Sequence, residues 1–261
     1  MPGMIDAKAL LDRFLGPGGT GAVPGRPAQP PSPWGTPSAP ATGTGGGLAD
    51  LAKQVLGSGG GFVGGTAAGG LLGVLLGKKT GKRTKGLLSH GGAAVLGALA
   101  HRAWQNWQAG QAPGTAAPAT ARDVETLEPR FLPATTQAAG GEPFELSLIR
   151  AMIGAARADG HIDAEERARI FEQVEKAGLD AEAKAFVFDT LDAPIGVSEV
   201  AAAARTPEQA AELYLISRLA VNPDELSERA YLQALAHRLK LPDALVAHLD
   251  RQADAASRPA T

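Results

Sequence analysis

Residues 158–166 read Ala-Asp-Gly-His-Ile-Asp-Ala-Glu-Glu. Asp159, Asp163 and Glu166 fall at the spacing of the second half of a calcium-binding helix-loop-helix. In that register Asp159 is a ligand, Gly160 makes the sharp turn, Ile162 is the apolar plug, Asp163 is the ninth-position ligand and Glu166 closes the loop. The first half of the pattern is missing. Ala155 and Arg157 stand where the first two carboxylates belong, and a guanidinium there repels a cation. The same residues also read without an ion: Gly160 ends one helix in a left-handed cap, and Asp163 starts the next with Glu166 three residues on, as in a capping box. Capping is the simpler expectation, and a divalent cation is the one cofactor the turn would hold.

A fainter copy of the pattern follows. Glu166-Arg167-Ala168-Arg169-Ile170 is echoed by Glu228-Arg229-Ala230-Tyr231-Leu232, preceded by Asp224 and Glu225, which suggests an internally duplicated helical module. If the two helices face each other, Asp224, Glu225 and Glu228 join Asp159, Asp163 and Glu166 in one acidic cluster, suited to a weakly bound cation or a basic partner; a solvated face is the equal alternative.

Other chemistry is absent. The chain has no cysteine, which excludes disulfides, thiol catalysis and cysteine-ligated zinc. His90, His101, His161, His237 and His248 form no zinc spacing. Gly59-x-Gly61-x-x-Gly64 matches a dinucleotide pattern, but no strand precedes it, and Gly77-Lys78-Lys79-Thr80-Gly81-Lys82 is one residue short of a phosphate loop and continues with Arg83. No catalytic residue emerges, and the expectation is a protein that is not an enzyme.

Around these motifs the chain divides by composition. Residues 1–15 place Ile5, Leu10, Leu11, Phe14 and Leu15 at helical spacing, ended by Gly16-Pro17. Residues 16–47 are a proline- and glycine-rich linker, read as disordered. A short helix near residues 48–56 leads to a row with glycine at every fourth position: Gly57, Gly61, Gly65, Gly69, Gly73 and Gly77. Residues 57–77 carry no charge and as a helix would extend about 31 Å, the thickness of a bilayer core. Small residues on one face let two such helices approach closely, so this glycine zipper is expected to bind lipid and a second copy of itself. Lys78, Lys79, Lys82, Arg83 and Lys85 then form a basic stretch, 78–85, suited to anionic headgroups on the cytoplasmic side. Without interleaved aromatics it is not expected to bind nucleic acid. A second apolar arm, residues 86–100, is short for a span and is expected to fold back on the first or lie at the interface, with Trp104 and Trp107 at headgroup level. The membrane-associated segment thus covers residues 48–107.

Residues 108–141, rich in Ala, Pro and Thr, read as a flexible linker. Residues 142–256 read as an all-α bundle of about seven short helices, starting near 144, 163, 180, 197, 207, 225 and 243. From 142 to 261 there are 21 Asp or Glu against 13 Lys or Arg. Anionic lipid should repel such a domain, which would stand off on the linker before it.

The glycine zipper with its basic end, the Ser-His-Gly-Gly-Ala-Ala-Val-Leu-Gly-Ala-Leu-Ala-His-Arg-Ala-Trp run at 89–104, and the 148–170 and 227–242 segments together resemble the YebE-like inner-membrane proteins, domain-of-unknown-function family 533. Their C-terminal part is similar to the TerB tellurite-resistance fold. The resemblance implies a TerB-like all-helical domain, bacterial inner-membrane association with that domain in the cytoplasm, and a suspected divalent-cation site at Asp159, Asp163 and Glu166, with Glu228 a weaker match. The function expected is a non-enzymatic, membrane-tethered adaptor that recruits an unidentified protein partner, in envelope or metal-stress responses. The alternative is a cation-responsive sensor acting through the acidic turn.

Overall fold

A computed structural model describes residues 5–15, 92–158, 168, 174, 179–221 and 223–257, and these form an all-α fold with no strand among them. The helices are α1 (Ala7–Leu15), α2 (Gly92–Gln108), α3 (Ala121–Glu125), α4 (Phe144–Ala156), α5 (Ala181–Asp192), α6 (Val197–Ala202), α7 (Pro207–Ala220), α8 (Leu226–Arg238) and α9 (Asp243–Ser257). Two 3₁₀ turns, Pro129–Phe131 and Pro133–Thr135, lie between α3 and α4.

Local chemistry sets these boundaries. Asp180 caps α5, its carboxylate accepting from the Ala183 N–H at 2.7 Å. Thr206 caps α7 at the Gln209 N–H, with Pro207 in the first turn. The Gln209 side chain reaches back past the cap to accept from the Arg205 N–H at 2.8 Å. α2 ends in a Schellman cap: Gly110, at φ 64°, donates to Trp107, and Gln111 donates to Asn106.

α2 and α7 are the centre of the core. α2 packs on α1, α7 and α9; α7 packs on α4 and α9, and α6 and α8 lie together beside them. Leu96, Leu99, Ala100 and Ala103 of α2 are buried, as are Leu148, Ile149, Met152 and Ile153 of α4 and Leu213, Leu215 and Ile216 of α7.

Two expectations are corrected here. Trp104, expected at headgroup level, is buried in the core, and Trp107 is half-buried edge-on to it at 5.2 Å. The described part of the second apolar arm is α2, whose apolar side chains are covered by other helices, with Trp104 edge-on to Phe131 at 6.0 Å. Among the described residues no helix is long and apolar enough to cross a membrane.

The stretch at 108–141 is not a flexible spacer either. Phe131, Ala116 and Ala138 are buried, and Phe131 stacks on His101 at 4.9 Å. Side chains from distant helices satisfy the irregular backbone, which is what burial of such a segment requires. Gln252 accepts from the Ala119 N–H and donates to the Ala117 carbonyl, which Asn106 also reaches. His248 Nε2 donates to the Gln111 carbonyl, and Gln209 donates to that of Gln137. The bundle therefore does not begin at residue 142; α1, α2 and the segment between α2 and α4 belong to it.

The glycine row at 57–77, the basic stretch at 78–85, the linker at 16–47 and the turn holding Asp159, Asp163 and Glu166 lie outside the described residues. Of the helix expected after Asp163, Ala168 and Val174 are helical, and Val174 is buried.

Candidate functional site

Two helices each bring a pair of polar side chains four residues apart to one place, the spacing that puts both on the same face. α7 supplies Tyr214 and Arg218, and α9 supplies Asp250 and Asp254. The Tyr214 hydroxyl donates to Asp250 Oδ1 at 2.9 Å, Arg218 Nη2 donates to Asp254 Oδ1 at 2.7 Å, and Arg218 Nε lies 3.4 Å from Asp250. Tyr214 is almost wholly buried, whereas both aspartates keep one side open.

This network is the floor of a cleft of about 810 Å³ between α8 and α9. α8 contributes Arg229, Leu232, Gln233, Ala236 and His237, spaced so that they share a face. α9 contributes Asp243, Val246, Asp250 and Asp254, likewise on one face. One wall is therefore basic and the other acidic, with Leu232, Val246 and Leu241 between them. Lys240, Leu241 and Pro242 close the end where the chain turns from α8 into α9.

That turn is a second Schellman cap: Lys240 donates to His237 and Leu241 to Ala236. The left-handed position is held here by Lys240 at φ 56°, the one non-glycine residue at positive φ among the described residues. Glycine fills the same position at the end of α2. A lysine there costs about 1 kcal/mol of backbone strain and brings a cation to the rim of the cleft.

Burial acts on two titratable groups of the floor. Burial, then the neighbouring Asp250, raises the Tyr214 hydroxyl well above its usual range, so it stays protonated and donates. Burial also pushes the Asp250 carboxyl up, against the Tyr214 hydrogen bond and the Arg218 charge that pull it down. Held between the Tyr214 hydroxyl and the Arg218 guanidinium, the Asp250 carboxyl ties α7 to α9.

Of the six carboxylates singled out in the sequence, the described residues include Asp224 and Glu225, both exposed, and Glu228. Glu228 sits half-exposed in the first turn of α8, a favourable place for an anion beside the helix dipole. Among the described residues no group of three or more histidine or acidic side chains is placed to hold a metal ion. Arg229, Leu232 and His237 enter the sequence reading in other roles, and the remaining cleft residues were not singled out by it. The available signal was the row Asp243, Asp250 and Asp254, which falls on the same helical face as Val246 where an amphipathic pattern calls for more apolar side chains.

A sequence profile described as "Protein of unknown function (DUF533)" matches residues 61–253, from the glycine row through the cleft-forming part of α9. An uncharacterized protein encoded in the ampR 5′ region of Yersinia enterocolitica is 35% identical over 95 residues, covering 36% of this chain and 68% of that protein. No solved structure matches. With the profile spanning most of its length, the chain belongs to the DUF533 family.

Proposed function

We propose that this protein is a non-enzymatic adaptor of the bacterial inner membrane, tethered through residues 57–77, with its bundle on the cytoplasmic side and the α8–α9 cleft taking a segment of a protein partner. The observation that carries the reading is the cleft itself: opposed basic and acidic walls, an apolar strip between them, and Lys240 held in a strained conformation at the rim. Strain retained at a ligand-facing position is a mark of function. The glycine row supports self-association in lipid, and the basic stretch after it supports contact with anionic headgroups. A TerB-like character for the bundle belongs to the same proposal.

The test places a photocrosslinking residue at Gln233, in the cleft, or at Ala185, exposed on α5 and not among the cleft residues, in the full-length protein in cells. A discrete adduct from Gln233 that is lost on Arg229→Glu/Lys240→Glu, with none from Ala185, is expected. Adducts of equal yield at both sites, or adducts indifferent to charge reversal, would remove the cleft from the proposal. Deleting residues 57–77 should move the protein from the membrane to the soluble fraction, and unchanged fractionation rejects the tether.

A further inference from the structure

Leu10, Leu11, Phe14 and Leu15 of α1 are buried where this helix lies on α2 and α4. The Leu15 side chain fills the space that a β-carbon on Gly92 would need, and Asp12 Oδ1 accepts from the Ala93 N–H at 3.2 Å, one of the free amides at the start of α2. The bundle thus holds a helix of 9 residues by an apolar stripe and one carboxylate beside it.

The α8–α9 cleft offers the same kind of seat. α8 and α9 each pack on α7, whose Tyr214 and Arg218 lie at the bottom of the cleft, so an occupant would lie along two helices above a third. From Asp243 to Asp254 the α9 wall runs about 16 Å, or about three helical turns. A helix of that length satisfies its own backbone. An extended segment would need a strand edge to pair with, and the described residues contain none. Leu232, Leu241 and Val246 would take an apolar stripe. On α8 and the turn after it, Arg229 and Lys240, with His237 between them, call for acids. On α9, Asp243 and the open sides of Asp250 and Asp254 call for bases, Arg218 offsetting one of these carboxylates. Turning a helix end for end exchanges its flanks, so charges segregated in this way also fix the direction in which the occupant lies.

We infer that the cleft takes an amphipathic helix of about three turns that carries aspartate or glutamate on the flank facing α8, lysine or arginine on the flank facing α9, and aliphatic side chains between them. This rests on the docking reading above, is independent of the tether, and names the class of segment that the partner presents.

Labelled synthetic peptides of about 15 residues, long enough to form a helix alone, test it against the full-length protein by fluorescence anisotropy. The first is a leucine-striped helix with Glu along one flank and Lys along the other. The second has the same composition with Glu and Lys interleaved on both flanks, so that neither direction matches the walls. The third is the first with proline at its centre. The first is expected to bind about tenfold more tightly than either of the others. Lys240→Gly, which suits the left-handed backbone there and removes a cation, and Arg229→Glu should each weaken the first peptide and leave the second unchanged. Equal binding of the first two peptides overturns the inference, and equal binding of the first and third shows an extended occupant and overturns it too. If no peptide binds while the Gln233 adduct persists, the helical occupant falls and the docking reading stands. If the Gln233 adduct is missing as well, both fall.

Discussion

Glu212, on the face of α7 turned into the core, is buried with neither carboxyl oxygen hydrogen-bonded among the described residues. An ionised carboxylate in such a place is costly, and burial, followed by the nearby Glu208 and Glu145, drives its pKa well above the ordinary value. The folded state therefore holds a proton that the unfolded state gives up at a carboxylate pKa of about 4.3. The bundle gains most from this group below that pH and loses stability as pH rises through the window up to the raised folded value, with no further loss beyond it. Replacing Glu212 with Gln removes the titration. Urea midpoints measured at about pH 5 and about pH 8 should differ less in Glu212→Gln than in the native chain; an unchanged difference would show that Glu212 is not the group responsible. At this scale the sequence was informative about caps and silent about Glu212. Thr206 declares its role through its immediate neighbours, whereas a glutamate four residues from Glu208 on a helix reads as a solvated face until α4 is placed over it.

Among the elements, α2 was the least legible. Its run of Ala, Leu and Gly fits a lipid-facing helix and a core helix equally well, because both bury apolar atoms and hydropathy does not record what covers them. Gly97 distinguishes the two: a β-carbon there would strike the backbone carbonyl of Phe131, so the glycine admits a neighbouring segment of the protein itself. Gly97→Ala gains about 1 kcal/mol of helix propensity, yet overpacking against backbone costs about 1–3 kcal/mol. The expected result is a net loss of stability in urea unfolding; a stabilised variant would show that the 129–135 turns do not pack on α2. Helices α4, α5, α7, α8 and α9 lie close to where the sequence places them because each carries its own start or stop signal. The 109–143 segment was misread for the opposite reason: Gln252, His248 and Gln209, which hold its backbone, are separated from it by 72–137 residues.

For the whole molecule, the acidic bundle has no spacer at 108–141 on which to stand away from a bilayer, since that stretch is built into its side. Basic residues 78–85 precede α2 by a few residues in the sequence, which sets them a short stretch of chain from an acidic bundle. Because Leu15 and Gly92 touch, the interval between them is an insertion rather than a link between domains. Replacing residues 16–91 with about ten Gly and Ser residues shortens the loop that must close and should stabilise the bundle by about 2 kcal/mol or less. A chain so shortened that unfolds with lower cooperativity, or with a lower melting temperature, would contradict the docking of α1.

The same contact orders events during synthesis. At about 5–20 residues per second, on the order of ten seconds separates the completion of α1 from that of the α2 surface that receives it. Through that interval α1 has no partner, while the glycine row emerges from the ribosome ahead of α2. The oldest helix in the chain is thus among the last to find its place.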